Sequence, residues 1–300
     1  MQRPMAAPAA LPRVRDMTTK VESVGVIGGG FMGSGIAECV LLSGLPVVLR
    51  EIPELVDVTR KRLEDTLERA VKKGKLDAAE HQEALGRLTV TSELKDVAEV
   101  DLVIEAVPEI VDLKLALMHD LDGIVGDETI VATNTSSIPI AQLAGAVHRR
   151  DRVVGVHFFS PVTVMPVVEV VRALDTSDET MESVRHFVEQ LKKVAIVTKD
   201  RSGFIVNFLL CPYLMAAVRM YEEGFASRED IDMGMRGGAG HPMGPLQLCD
   251  FIGLDVIYAV CNSLFDEFKR EEYAPPPLLK RMIASGRLGR KSGRGFYEYD

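Results

Sequence analysis

A chain of 300 residues with a formal net charge of −9, 47% hydrophobic and 26% charged residues, has the balance of a folded globular protein and the length for two domains. The acidic balance excludes sequence-independent nucleic-acid binding, which needs a basic face to displace counter-ions from phosphates. No apolar run approaches the roughly 18 residues of a membrane span, so the expectation is a soluble, cytoplasmic protein with neither nucleic acid nor membrane as partner. Cys39, Cys211, Cys249 and Cys261 are scattered, with no C-x-x-C spacing and no histidines at metal-ligand intervals, which predicts reduced core thiols and no metal site.

Residues 1–20 are rich in Ala and Pro and predict a disordered leader outside the fold, with prolines that would break a targeting helix. From Val21 the pattern becomes a short apolar strand, a glycine cluster and a helix. Gly28, Gly30 and Gly33 fit G-x-G-x-x-G, and Glu51 follows at the end of a second strand, Pro46 to Leu49. Gly28 allows the tight turn, Gly30 lets the backbone approach a pyrophosphate, and Gly33 lets the helix pack close to the strand. The helix start attracts the negative charge. An acid about 20 residues on hydrogen-bonds the adenosine ribose. The pattern therefore predicts a dinucleotide site. Glu51 favours NAD over NADP because it would repel a 2′-phosphate, while the neighbouring Arg50 leaves NADP open.

Residues 54–86 read as two charge-rich helices, with Arg60-Lys61-Arg62 and Lys72-Lys73. Such runs form a solvated face or a seat for the phosphates of a large substrate. Leu88 to Thr91 and Asp101 to Glu105 read as buried strands, followed by a helix between Ala106 and Gly126. The strand Ile130 to Ala132 ends in Thr133-Asn134-Thr135-Ser136-Ser137. Small polar residues there are either a cap or groups that meet a ligand, since doubly wound sheets bind at the carboxyl ends of their strands. Strands alternating with helices predict an α/β, Rossmann-type doubly wound parallel sheet.

Val153 to Arg172 reads VVGVHFFSPVTVMPVVEVVR, with Glu169 inside an apolar, strand-like run. A buried carboxylate must find a partner, and His157 is the nearest candidate. The pair fits an inert salt link or a general base held by its carboxylate. A helix over 177–193 and a strand over 194–198 finish the first domain. Asp200-Arg201-Ser202-Gly203 reads as a hinge, and all beyond it as helix. Phe204 to Gly224 is apolar on most sides, with Pro212 a predicted kink and Asn207 a polar exception in its first turn.

Taken together, the glycine motif, Asn134-Thr135-Ser136-Ser137, His157-Phe158-Phe159-x-Pro161-Val162, Glu169, Gly203-Phe204-Ile205-Val206-Asn207, Gly240-His241-Pro242-Met243-Gly244-Pro245 and Gly293-Arg294-Gly295-Phe296-Tyr297 resemble the L-3-hydroxyacyl-CoA dehydrogenases over about residues 22 to 299. The resemblance implies an NAD-binding domain over residues 21–200 and a helical domain over 201–300 that supplies the substrate cleft and a homodimer interface. It implies His157 as general base, Glu169 as its orienting partner, and Ser136 and Asn207 as binders of the substrate oxygen. Gly28, Gly30, Phe31, Met32, Gly33, Glu51, Glu109, Lys114 and Asn134 would contact the cofactor. Thr66 and Lys73 fall near positions associated with coenzyme A, and Ser160 lies by the substrate's reacting end.

Three residues depart from the commonest family pattern. Ser160 stands for asparagine, Thr163 for proline and Pro166 for lysine. Ser160 bears on specificity, because a hydroxyl is shorter than a carboxamide and has one donor where the amide has two. The implied reaction is reversible oxidation of a (3S)-3-hydroxyacyl-CoA, with a short chain expected. Alternatives are the same chemistry on an acyl carrier protein thioester or a sugar acid, or a structural NAD-binding role.

Overall fold

Short β-branched runs, bounded by glycine and polar residues, become a ladder of strands in the computed structural model, which describes residues 20–299. The predicted leader, apart from Lys20, lies outside the described residues. In chain order the elements are β1 (Val24–Ile27), α1 (Phe31–Leu42), β2 (Val47–Arg50), α2 (Val56–Lys72), α3 (Ala78–Gly86), β3 (Leu88–Thr91), β4 (Leu102–Glu105), α4 (Val111–Asp122), β5 (Ile130–Thr133) and α5 (Ile140–Ala144). Then follow β6 (Val153–Phe158), β7 (Val167–Arg172), α6 (Asp178–Gln190), β8 (Val194–Lys199), α7 (Val206–Glu222), α8 (Arg228–Met233), α9 (Pro245–Ile252), α10 (Leu254–Phe268) and α11 (Pro277–Ala284).

The eight strands form one sheet in the order β3-β2-β1-β4-β5-β6-β7-β8. Alternate side chains of each strand face opposite layers. Val26, Leu49 and Ile104 pack under α1, α2 and α6 with Ile36, Leu63 and Phe187. Ile27, Val103 and Val131 pack under α4 and α5 with Met118, Leu121 and Leu143. Burying such side chains completely is worth roughly 1.5–3 kcal/mol each. Both faces of the inner strands are covered, as the expectation of a doubly wound sheet requires.

The sheet is not parallel throughout. β6 and β7 pair antiparallel, with His157 directly opposite Glu169, because only eight residues join them and a parallel return needs a crossover of a dozen or more. That reversal places the two polar side chains on one face. β8 then pairs parallel to β7, through α6.

A separate apolar cluster holds α7 to α11 together, with Cys211, Leu214, Leu246, Cys261 and Phe296 at its centre. All four cysteines are free and buried. Pro212 sits inside α7, which continues as helix on both sides of it. The carbonyl of Phe208, which loses its i+4 donor to the proline, receives the Tyr273 hydroxyl at 3.4 Å. The glycine-rich tail docks on Asp250, whose carboxylate accepts the amides of Phe296 and Tyr297 and the Tyr299 hydroxyl at 2.9–3.0 Å. At the predicted hinge, Asp200 caps α5 by accepting the amides of Ile140 and Ala141. Gly203 and Phe204 both have positive φ, 77° and 47°, which turns the chain sharply from β8 into α7. Among the described residues no single helix is long and apolar enough to cross a membrane.

Candidate active site

His157 is 6% exposed and Glu169 fully buried. The histidine Nδ1 lies 2.6 Å from Glu169 Oε2, so this carboxylate selects, for the neutral ring, the tautomer that donates through Nδ1 and carries its lone pair on Nε2. Among the described residues nothing hydrogen-bonds Nε2. The rings of Phe159 and Phe204 lie 4.7 Å and 5.5 Å from the imidazole, limiting water around it. Glu169 has a second task. Its Oε1 accepts the backbone amides of Ile205 and Val206, both at 3.0 Å, where α7 begins. One carboxylate therefore orients the histidine and fixes the helix start next to Asn207.

The polar loop after β5 is tied to the same place. The side-chain oxygen of Asn134 accepts the amide of Phe158 at 2.9 Å, and the Ser202 hydroxyl donates to the carbonyl of Ser137 at 3.3 Å. Glu109 accepts the Thr135 hydroxyl, the Ser136 and Ser137 amides and the Ser137 hydroxyl on a single oxygen. Ser136, His157 and Asn207 thus belong to three segments that hydrogen bonds join directly, although they are far apart in sequence.

After β1, an inner strand of the sheet, Gly28 has φ 98°, and a Cβ there would come within 2.8 Å of the Ala106 carbonyl. A Cβ on Gly33 would collide with the Gly28 carbonyl, whereas one on Gly30 would meet nothing within 4 Å. The first two glycines are required by the protein's own packing. Gly30 is not, and the open space above it suits the close approach of a ligand. Helix α1 has no side-chain cap and no acid in its first turn, and its ladder starts with the Ser34 amide on Gly30. The amides of Phe31, Met32 and Gly33 precede that bond, so they are available to an anion. Glu51, at the end of β2, accepts the Gly29 amide at 2.7 Å and the Ile52 amide at 2.8 Å.

Residues 23–201 match the family described as 3-hydroxyacyl-CoA dehydrogenase, NAD binding domain, and residues 203–299 match 3-hydroxyacyl-CoA dehydrogenase, C-terminal domain. The chain belongs to the 3-hydroxyacyl-CoA dehydrogenase family. It is similar to the 3-hydroxybutyryl-CoA dehydrogenase of Mycobacterium tuberculosis, with 47% identity over 286 residues, 94% of this chain and 100% of that one. Of solved structures it resembles FadB2 of M. tuberculosis, with TM-score 0.92 and 46% identity over 94% of this chain and 100% of that one. It also resembles (S)-3-hydroxybutyryl-CoA dehydrogenase PaaH1 of Ralstonia eutropha, with TM-score 0.89 and 44% identity over the same shares.

NAD is the cofactor of this dehydrogenase, and the residues present fit it. The uncapped helix start faces open space at Gly30 for the pyrophosphate, and the Glu51 carboxylate stands beside Gly29 where a ribose would lie. Arg50, the residue that left NADP open, points elsewhere, with Nε donating to the Ser92 carbonyl at 3.2 Å.

Lys114 is placed differently from a ligand-facing group. It is 1% exposed, and its ammonium reaches Glu105 at 2.6 Å, Glu109 at 3.1 Å and the Val107 carbonyl at 3.3 Å. Three donors are thereby occupied within the protein. Burial pushes the Glu109 carboxyl up, but Lys114 and the Thr135 and Ser137 hydroxyls together outweigh it and hold the group below its ordinary value. The loop bearing Ser136 therefore rests on a charged Glu109 at neutral pH. Thr66 and Lys73 lie on and just after α2, where Thr66 receives Arg69 and donates to the Arg62 carbonyl. None of the hydrogen bonds described joins them to the His157 pair.

Two residues escaped the sequence reading. Glu105 carries the same signal as Glu169, an acid in an apolar run, but stands at the end of its strand. Lys193 stands at a helix-strand junction in a pair of lysines, and nothing local marks it as buried.

Proposed function

We propose that this dehydrogenase interconverts a (3S)-3-hydroxyacyl-CoA and the 3-oxoacyl-CoA, with a short chain such as 3-hydroxybutyryl-CoA as substrate, in the cytoplasm and as a homodimer. The division at residues 200/201 into a cofactor domain and a helical domain belongs to the same reading. What carries it is the Glu169 carboxylate, bonded to His157 Nδ1 through one oxygen and to the start of α7 through the other. A buried salt link needs no second nitrogen left free and no adjoining polar loop. The relatives' names support the substrate class, and exposed Leu209, Phe225 and Met233, 60–77% accessible, support a covered apolar face.

The amides of Phe31, Met32 and Gly33 hold the pyrophosphate over the open space at Gly30, Gly28 makes the turn that leads there, and Glu51 holds the ribose. Asn134 and Glu109 shape the nicotinamide end, with Lys114 supporting Glu109. Bound NAD supplies the hydride acceptor. His157 Nε2 takes the proton of the substrate hydroxyl as hydride leaves the same carbon, and Glu169 stabilises the imidazolium that forms. The Ser136 hydroxyl and Asn207 amide donate to the oxygen as it becomes a carbonyl. Phe159 and Phe204 keep water from the imidazole. Thr66 and Lys73 bind the coenzyme A phosphate, and Ser160 lines the acyl end.

NADH consumption with acetoacetyl-CoA tests the reading, with carrier-protein thioester and free hydroxy acids as parallel substrates. His157→Gln is expected to retain NADH binding and lose about 10²- to 10⁴-fold in turnover. Normal turnover in that variant removes His157 from the mechanism, and NADH binding without activity on any substrate favours a structural role.

A further inference from the structure

The turn joining β6 to β7 is fastened by a buried cation. Lys193 is 9% exposed, and its ammonium donates to the carbonyls of Val162 at 2.6 Å and Met165 at 2.7 Å. No Asp or Glu among the described residues forms an ion pair with it. Burying an ammonium without a counter-ion is costly, and an apolar side chain of equal length fills such a site more cheaply. What the lysine provides that an apolar residue lacks is the hold on two carbonyls of one turn. The amides of Val164 and Met165 close the turn onto the Pro161 carbonyl at 3.0 Å, and Val194 binds the carbonyl of Pro166 at 2.8 Å.

The opposite side of the turn has a stop of its own. Val162 is 4% exposed and lies against Gly35 of α1, where an added Cβ would come within 3.0 Å of its methyl. α1 is the helix whose start faces the cofactor. The inner side of the turn is therefore pinned between the cofactor helix and Lys193. Its outer side, Ser160, Val164 and Met165, is exposed. Ser160 follows His157 by three residues, so a substrate held at the imidazole lies close to this surface.

We propose that Lys193 is a positioning residue that presets the Ser160–Met165 turn as a wall of the acyl end of the cleft, with Gly35 as the opposing stop. The proposal rests on the dehydrogenase reading given above, and acts on substrate only through the turn. A wall ordered before binding costs the complex less ordering entropy, so its loss weakens substrate binding more than the chemical step.

The test uses the full chain with Lys193→Met, Lys193→Arg and Gly35→Ala, each read by NADH fluorescence titration, steady-state kinetics with acetoacetyl-CoA, and amide exchange of the segment 160–166. Lys193→Met is expected to raise KM about tenfold, change kcat and the NADH Kd less than threefold, and speed exchange at Val164 and Met165. The pH profile of kcat is expected to stay in place. Lys193→Arg keeps a cation in reach of the carbonyls and should recover part of the protection. Gly35→Ala should raise KM without faster exchange, because it displaces the turn without releasing it.

Unchanged KM and exchange in folded Lys193→Met overturn the proposal, and so do parallel losses of NADH binding and KM, which mark general loosening. If Lys193→Met does not fold, unchanged KM in Gly35→Ala overturns it. A wild-type chain that binds NADH without turning over acetoacetyl-CoA overturns the function reading instead. The exchange readout then still decides whether Lys193 holds the turn.

Discussion

Glu105 and Glu169 are both completely buried, each within an apolar strand of the same sheet. Each carboxylate accepts three hydrogen bonds. Glu105 takes the Lys114 ammonium, the Val107 amide and the Thr133 hydroxyl, while Glu169 takes His157 and the amides of Ile205 and Val206. The difference lies in the partner. Lysine spends its three donors inside the protein, so the first pair is closed. Histidine can be neutral or charged and keeps a second nitrogen free, so the second pair can move a proton. Being an acid in an apolar strand therefore shows that a partner exists, and the partner's chemistry decides between support and catalysis.

The largest effect that would sharpen this contrast is on stability. Glu105→Leu strips Lys114 of its closest counter-ion and leaves the Thr133 hydroxyl without its acceptor, and breaking a buried pair from one side typically costs about 3–5 kcal/mol. Urea unfolding is expected to show that loss, with kcat of the folded fraction within about threefold of the parent. A collapse of kcat without loss of stability would move Glu105 into the catalytic machinery and break the distinction.

Glu169→Gln is the complementary change. An amide can still accept from one side, but its NH₂ then faces either His157 or the two backbone amides. Turnover is expected to fall about 10²-fold, roughly 2.7 kcal/mol, with a smaller stability cost of about 1–2 kcal/mol. Kinetics and thermal unfolding on the same preparation separate the two. A stability loss that exceeds the catalytic one would make Glu169 a second Glu105.

How far these assignments were legible in the sequence follows from where the partners sit. The strands, the glycine turn and the His157–Glu169 pair depend on residues close in sequence, and their periodicity and spacing predicted them within a residue or two. The antiparallel return at β7 follows from the short turn, yet the general βα alternation obscured it. The amides of Ile205 and Val206 lie more than 30 residues beyond Glu169, and Asp250 meets its tail more than 40 residues later. Contacts of that range leave no local trace, so the second role of Glu169 and the docking of the tail needed the fold. Pro212 illustrates the same limit, because the carbonyl it frees is satisfied by Tyr273 from another helical turn.

The cofactor end offers a milder test of packing against function. Gly30→Ala adds a methyl that meets no protein atom within 4 Å, and a glycine-to-alanine change at this helix N-cap costs about 1 kcal/mol by the usual ranking. Stability should therefore fall by no more than that cap term, while the NADH Kd rises about tenfold because the methyl occupies the approach of the pyrophosphate. The same substitution at Gly33, where the Cβ meets the Gly28 carbonyl, should instead lower stability outright. Unchanged NADH affinity in Gly30→Ala would place the pyrophosphate elsewhere.

The smallest effect concerns Ser160, three residues from the imidazole and outside both glutamate networks. Its side chain is exposed and takes no part in the hydrogen bonds that fix the turn, so Ser160→Asn should leave stability within about 0.5 kcal/mol. It should also leave kcat nearly unchanged, because neither Glu169 nor His157 is touched. What it alters is the donor count at the acyl end, from one hydroxyl to two amide hydrogens. The expected result is a shift of about threefold in KM, roughly 0.7 kcal/mol, differing between acetoacetyl-CoA and a longer 3-oxoacyl-CoA in parallel assays. An equal shift for both chain lengths would assign Ser160 to the common thioester end. A fall in kcat of the size expected for Glu169→Gln would instead show that the turn and the proton-moving pair are one unit.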